Sequence, residues 1–554
     1  MNKLLKSALS LAMVLAFMLS LCTAAFAQSY DLANGAITVD ANVGGQTVSQ
    51  VGGVTNEAQT SETVITSPNG VTSNTVTINV ADNATANVTM NGVYIDATGG
   101  NDAAVSITGN GNVNIELDGN NALLSADGHA GIEKSEGSSL TINDKNNASG
   151  ILAAGGGTGG AGIGGGESGD GTNVTITGGT VYAFGGDGGA GIGGGKSGDG
   201  KNISITGGTV SAEGDGGAGI GGGESGDGTD VTITGGTVSA GGGTGGAGIG
   251  GGKSGDGKNI SITGGTVSAG GGRGGAGIGG GKSGDGENIS ITGGEVTAIG
   301  YYSTTGGDGT LSVDDGAGIG GGAGGSANNI SISGGKVEAE SQRGGAGIGG
   351  GAYSKINNST GEVIDSASGG CTNISISGSA NVTATAGDSW VSGYGKQVIA
   401  AGTAIGKGAN GFTSGVAVTP DTSKLTSEGK LVLKGVNGAL IDTIVGTYVK
   451  PASAASSAVA SAVASSPILA RYYVAKGNDQ VWLIDSVDGL KFTLNVSGDG
   501  LIKVIIDGEE VDFEVGENGV IVIAAEALQA LEAGEHIIKF VFADGSCKTD
   551  FTVK

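Results

Sequence analysis

Residues Gly159–Val181 read GGAGIGGGESGDGTNVTITGGTV, and close copies of the phrase return four times before Val296. The isoleucines of the GAGIGGG cores are Ile163, Ile192, Ile220, Ile249 and Ile278, at steps of 29, 28, 29 and 29 residues. A fixed period of this size is the mark of stacked structural units. Inside one unit, Val174 and Ile176 alternate with Thr175 and Thr177, and after Gly178-Gly179 the alternation resumes with Val181 and Ala183. Alternation with period two is a strand with one buried face. Together with Ala161-Gly162-Ile163 this predicts three short strands per unit, joined by Gly-rich corners into one turn of a parallel β-helix. A lone turn buries too little to hold itself, so its stability must come from its neighbours.

Stacking turns sequence periodicity into columns. Val174, Ile203, Val231, Ile260 and Ile289 form one predicted inward column, and Ile176, Ile205, Ile233, Ile262 and Ile291 a second. Both are wholly β-branched, which suits a buried pleat. Asn173, Asn202, Asp230, Asn259, Asn288, Asn329 and Asn373 form a polar column whose amides can bond from turn to turn. Glu167, Lys196, Glu224, Lys253 and Lys282 form another, alternating in sign over its first four members, as expected where opposite charges stack.

Outward from this array the pattern loosens. A divergent unit opens at His129-Ala130-Gly131-Ile132, and degenerate units sit at Ile319, Ile348, Ile374 and Ile405. The expected division is residues 1–27 as a signal peptide, 28–74 as an N-terminal cap region, 75–450 as the Gly-rich β-helix, 451–467 as an Ala/Ser linker and 468–554 as a second, β-sandwich module. The first segment carries Lys3 and Lys6, an apolar stretch from Ala8 to Leu21 and Ala25-Phe26-Ala27 before Gln28, the layout of a secretory signal. A secreted or surface-held protein is therefore expected, with no membrane span in the mature chain. In the last segment, strand patterns at Lys503–Val511, Gly519–Ile523 and Gly534–Phe542 surround a short helical turn within Ala524–Ala533, an order that suits a small antiparallel sandwich.

Composition narrows function. Glycine makes up 122 of 554 residues, proline only 4, and aromatics 4%, so the core must be thin and aliphatic. The net charge is −26, and loss of Lys3 and Lys6 takes it to about −28. Such a chain repels nucleic acid and anionic membrane and suits cations or neutral and basic partners. Cys371 and Cys547 fall in different predicted domains and are expected to stay unpaired.

Catalytic chemistry leaves little trace. The two histidines, His129 and His536, lie in different predicted domains, and Asp314-Asp315 is the one paired acid of the helix tract, read as a solvated loop. The chain is therefore expected not to be an enzyme, and it needs no cofactor. One ion is a candidate: Asp170, Asp199, Asp227, Asp256 and Asp285 of the SGDG loops would stack, and Ca²⁺ would relieve their repulsion unless each simply caps its own turn in water. Two ligand surfaces are candidates. The outward pairs Thr175/Thr177, Ser204/Thr206, Thr232/Thr234, Ser261/Thr263 and Ser290/Thr292 form a hydroxyl array, and Tyr301-Tyr302 could stack on sugar rings or merely pack a long loop.

The tract from about Thr75 to Gly411 resembles secreted, Gly-rich bacterial proteins built on GAGIGGG repeats. That resemblance implies a right-handed parallel β-helix and a cell-surface, carbohydrate-binding role. Leu531–Gly545, LEAGEHIIKFVFADG, resembles the immunoglobulin-like modules appended to bacterial surface proteins and polysaccharide-active enzymes. The expected function is adhesin-like binding or display at the cell envelope, with carbohydrate or another envelope component as partner. A polysaccharide lyase or hydrolase and an ice-binding or purely structural solenoid are the rival readings.

Overall fold

The computed structural model describes residues 28–59, 62–146, 149–307, 309–360, 362–391 and 397–446, and parts of 474–554, namely 474–476, 480–482, 486, 489–494, 501–507, 509–515, 520–529, 531, 533–542 and 545–554. The expected signal peptide (1–27) and the expected linker (451–467) lie outside these residues. The chain divides into two compact units, Met1–Ala452 and Ser453–Lys554.

The first unit is a parallel β-helix with three long sheets. In the turn quoted above, Gly171–Ile176 belongs to the first sheet, Thr180–Asp187 to the second and Ile192–Gly193 to the third, before the chain rejoins the first at Gly200–Ile205. Each strand pairs in parallel with its equivalent one turn away. Val174 lies opposite Ile203 and Ile176 opposite Ile205, and Val181 lies opposite Val210. The predicted inward columns are buried throughout, with Val174, Ile176, Ile205, Ile233, Ile262 and Ile291 fully enclosed. The third side is thin: Ile163, Ile192, Ile220, Ile249 and Ile278 stack as single apolar rungs.

Glycine is obligatory on that third side. Gly164, Gly193, Gly221, Gly250 and Gly279 all adopt φ between 132° and 137°, closed to residues with a side chain. A Cβ on Gly193 would stand 1.9 Å from the carbonyl oxygen of Gly221. The asparagine column has its own backbone reason. Asn173, Asn202, Asp230, Asn259, Asn288, Asn329 and Asn373 sit at φ of 53–58°, where Asn and Asp are the best tolerated residues after glycine. Their side chains ladder as expected: Asn202 Nδ2 donates to Asn173 Oδ1 at 3.1 Å and Asn288 Nδ2 to Asn259 Oδ1 at 3.1 Å.

The region expected to be only a cap already belongs to the solenoid. Gln28–Asp31 begins the first sheet, pairing with Thr63–Thr66. The true cap is an antiparallel meander, Ile37–Asn42, Gly45–Gln50 and Glu57–Gln59, which covers the open end of the third sheet. At the other end Leu440–Val445 turns back against Lys430–Lys434 and forms the last, largely exposed strand of the second sheet. The insertion predicted at Tyr301–Val313 is a hairpin, Glu295–Gly307 with Thr310–Asp315. A second excursion that the repeat pattern did not reveal, Ala352–Asn357 with Val363–Ser368, joins it in an antiparallel sheet beside the solenoid.

The second unit holds two small sheets, as a sandwich requires. Val474–Lys476, Leu490–Leu494, Val520–Ile523 and Glu514–Val515 form one, all antiparallel. The other runs Gln480–Trp482, Gly545–Val553, Gly534–Phe542, Leu501–Ile506 and Glu509–Val511, with Gln480–Trp482 in parallel at its edge. Phe492 of the first of these and Phe540 of the second meet edge to face at 5.3 Å. Ala525–Leu528 is the expected helical turn.

Candidate functional site

The outward face of the second sheet carries three exposed aromatics. Tyr182 and Phe184 alternate outward on the strand Thr180–Asp187 and are 40% and 41% exposed. Their neighbours one turn back are Ala153 and Gly155. In the other direction come Ser211 and Glu213, then Ser239 and Gly241, then Ser268 and Gly270. Tyr182 therefore looks along a row of serines, whereas Phe184 stands beside the exposed Glu213, with Gly241 and Gly270 beyond it. Tyr301 rises at the far end, its ring 3.1 Å from where a Gly270 Cβ would lie, and it is 40% exposed. At a strand spacing of about 4.8 Å, three turns separate Phe184 from this ring by about 14 Å. Only one of the predicted tyrosine pair belongs here. Adjacent residues of a strand face opposite ways, and Tyr302 instead packs under Arg343, whose guanidinium carbon lies 4.8 Å from the ring centre. Tyr182 and Phe184 were not singled out from the sequence; the only signal was an aromatic pair two residues apart in a repeat that elsewhere carries Ser, Glu or Gly.

The hydroxyl array lies on the first sheet. Thr175 is half-buried, whereas Thr177, Thr206, Thr234, Thr263 and Thr292 are exposed in one column. Traced toward the N-terminus, this column passes through Asn143, Glu116 and Thr89 and opens into a cleft of about 550 Å³. Its polar wall includes Glu62, Asn114, Glu116, Asp118 and Lys145. Sequence reading missed it because these residues come from divergent turns with no shared motif.

The SGDG aspartates do stack, but through hydrogen bonds. Asp170 Oδ1 accepts the backbone N–H of Asp199 at 2.8 Å, Asp199 Oδ1 that of Asp227 at 2.8 Å and Asp227 Oδ1 that of Asp256 at 2.9 Å. Asp256 does the same for Asp285 at 2.8 Å. Each aspartate thus caps the next turn rather than its own. Lys201 bridges Asp170 and Asp199 at 3.0 and 2.9 Å, and Lys258 bridges Asp227 and Asp256 at 3.0 and 2.8 Å. These bonds raise both lysines above the ordinary ammonium range. The relief assigned to Ca²⁺ is supplied within each lysine-bridged pair by an ammonium, and no cluster of three or more metal-type ligands occurs among the described residues. The alternating charge column closes around Glu224, which meets Lys196 at 3.5 Å and Lys253 at 2.7 Å, while Lys282 turns to Asp314 at 2.8 Å.

Asp314-Asp315 is not a solvated loop: the two carboxylates are 1% and 0% exposed. The second antiparallel excursion covers them, with Asp314 opposite Tyr353 and Asp315 opposite Ala352. Asp315 Oδ2 accepts from Ser341 Oγ at 2.6 Å, Arg343 N at 2.8 Å and Gly345 N at 2.9 Å. Burial nonetheless pushes its carboxyl up to about 7. His129 is tied to Glu133 at 2.9 Å and His536 to Asp507 at 2.6 Å, each within its own unit. Cys371 is buried and free, and burial pushes its thiol up to about 11.

No helix among the described residues is long and apolar enough to cross a membrane. No curated protein and no solved structure is matched by the chain. The profile of a family described as Beta helix repeat matches residues 174–196, 203–224, 231–253, 260–282, 289–323 and 330–352. Those six stretches and the parallel stacking of their strands make this a β-helix repeat protein.

Proposed function

We propose that this is a secreted, non-catalytic carbohydrate-binding protein of the cell envelope, which lays an extended glycan along the outer face of its second sheet. The observation that carries the reading is the strip between Phe184 and Tyr301: exposed aromatic rings at both ends, and between them Ser211, Ser239, Gly241, Ser268 and Gly270 with the single exposed carboxylate of Glu213 beside Phe184. Aromatic faces stack on the apolar faces of sugar rings, and serine hydroxyls bond the sugar edges. A rigid solenoid holds both kinds of group in register without further ordering, which favours affinity. The acidic chain adds a preference for neutral or basic glycans over acidic ones.

The test is affinity electrophoresis of the intact protein against a panel of neutral and acidic polysaccharides, with product release followed in parallel. Retardation by at least one neutral polysaccharide is expected, weakened about tenfold or more by Tyr182→Ala with Phe184→Ala. Unchanged retardation in that variant removes the strip as the site. Release of sugar products by the wild type, lost on unfolding, would overturn the non-catalytic reading.

A further inference from the structure

The two ends of the solenoid differ in how their sheets finish and in charge. At the C-terminal end, two of the three sheets finish under a covering segment. Asp421 bonds to the last strand of the first sheet, its N–H donating to the Ile374 carbonyl at 2.8 Å and its carbonyl accepting from Ile376 N–H at 2.9 Å. Over the last strand of the third sheet, Val418 N–H donates to the Ile405 carbonyl at 3.0 Å. The second sheet instead finishes in Leu440–Val445, which pairs with Lys430–Lys434 alone. Successive amides of a strand point to opposite sides. Gly446 N–H points back to the Gly429 carbonyl at 3.1 Å, so Val445 N–H points away from the sheet. Thr443 N–H, directed the same way, is taken by Asp442 Oδ1 at 2.7 Å. Leu440, Ile441 and Val445 are each more than half exposed. Beside them lies a cavity of about 390 Å³ with Ile405, Val418, Leu433, Ile441 and Ile444 in its lining. An edge this apolar and this open is a template for another strand.

Charge selects which strand. Between Lys407 and Gly446, four lysines (Lys407, Lys424, Lys430 and Lys434) outnumber the acids Asp421, Glu428 and Asp442, so this end is locally basic in a chain of net charge −26. The N-terminal end is the reverse: no lysine, arginine or histidine occurs between Gln28 and Gly128. Its outermost strands are Gln28–Asp31 of the first sheet and Glu57–Gln59 of the meander. Each carries an acid, Asp31 and Glu57, and Gln28 Nε2 and the Tyr30 hydroxyl tie the two strands together by donating to the Glu57 carboxylate at 2.8 Å. Val43, Val51 and Val71 are exposed at this end.

We propose that the solenoid assembles head to tail, with Leu440–Val445 of one copy docking against the acid-bearing outermost strands of the next. Strand addition satisfies the free backbone groups of the edge, and the valines bring apolar surface to the cavity. Lys430 and Lys434, on the strand beside the docked edge, complement Asp31 and Glu57. Either end against itself would oppose like charges, so the unlike ends are the favoured pair. The contact uses different surfaces of the two copies, so a dimer keeps one free end of each kind and growth continues. The inference does not depend on glycan binding.

Sedimentation velocity of residues 28–554 at about 0.15 M salt, where charges act over only about 8 Å, tests it. Rising concentration is expected to carry the wild type from monomer to species larger than a dimer. Val445→Pro removes an N–H that the sheet does not use, a change tolerated at an edge, so it should melt like the wild type and associate about tenfold or more weakly. Added to the wild type it still offers an acidic end, and it should shorten the assemblies. Asp31→Asn with Glu57→Gln, changes that keep side-chain shape at the opposite end, should weaken association about threefold or more. A wild type that stays monomeric at every concentration overturns the proposal. So does association that stops at a dimer or is unaffected by the Asn/Gln variant, since the basic end would then not be meeting the acidic one.

Discussion

Gly193 and Gly241 are both glycines of the repeat, and they do different jobs. Gly193 sits at φ 135°, and an added Cβ would strike the Gly221 carbonyl oxygen at 1.9 Å. Gly241 has a conformation open to other residues, and its Cβ would meet only Glu213 Cγ at 3.7 Å. Gly193→Ala is therefore expected to destabilise the protein by about 3 kcal/mol, from strain and overpacking together. Gly241→Ala should stabilise it by about 0.5–1 kcal/mol by restricting the unfolded chain. Thermal melts followed by circular dichroism check the pair, and equal shifts would refute the distinction. The same residue scale explains the asparagine column. Its spacing was legible in the sequence, but its cause was read as side-chain laddering alone. The left-handed backbone at Asn202 and its equivalents is an equal reason, and only coordinates reveal φ.

At the scale of elements, the two antiparallel excursions are the departure from the repeat, and they bury what the sequence placed in water. Asp314 and Asp315 end a hairpin strand that looks like a loop, because the strand covering them, Ala352–Asn357, lies dozens of residues away. Asp315 has consequences for pH. Its carboxyl rises from the usual 3.8 to about 7, desolvation outweighing the bonds from Ser341, Gly345 and Arg343. The folded state then holds a proton that the unfolded chain has already released. Its contribution to stability is present at low pH and is lost as pH rises from about 4 through about 7, with no further change above. Asp315→Asn keeps an acceptor for Ser341 and the two backbone N–H groups and removes the titration. The decline in melting temperature from about pH 5 to about pH 8 should be smaller in this variant than in the wild type. Parallel curves for the two proteins would show that Asp315 does not titrate in this range. The lysine clips over the SGDG loops belong to this scale too. Lys201 and Lys258 are 40% and 32% exposed, so each contributes below about 1 kcal/mol, and their role is to neutralise a column that the hydrogen bonds already fix.

For the whole molecule, the two units have separate cores, one of stacked Ile, Val and Ala and the other around Phe492, Phe540 and Phe551. Residues 28–446 alone should give a β-rich circular dichroism spectrum and melt cooperatively within a few degrees of the matching transition of the full chain. A fragment without a cooperative melt would refute the solenoid as an independent folding unit. A solenoid is stabilised between neighbouring turns, so its stability does not need the second unit. The sequence by itself determined the solenoid: its period, its three strands per turn, its inward columns and the alternation of charge around Glu224. It could do so because equivalent residues of adjacent turns touch, and a contact between neighbours in a periodic chain is written as spacing. Tertiary structure alone decided the rest. It brought Tyr301 onto the same face as Tyr182 and Phe184, separated it from Tyr302, gathered Glu62, Glu116, Asp118 and Asn143 around one cleft, and enclosed Asp315. Those groupings join turns that share no motif or segments that leave the repeat, and the distance between them in the chain carries no record of their distance in space.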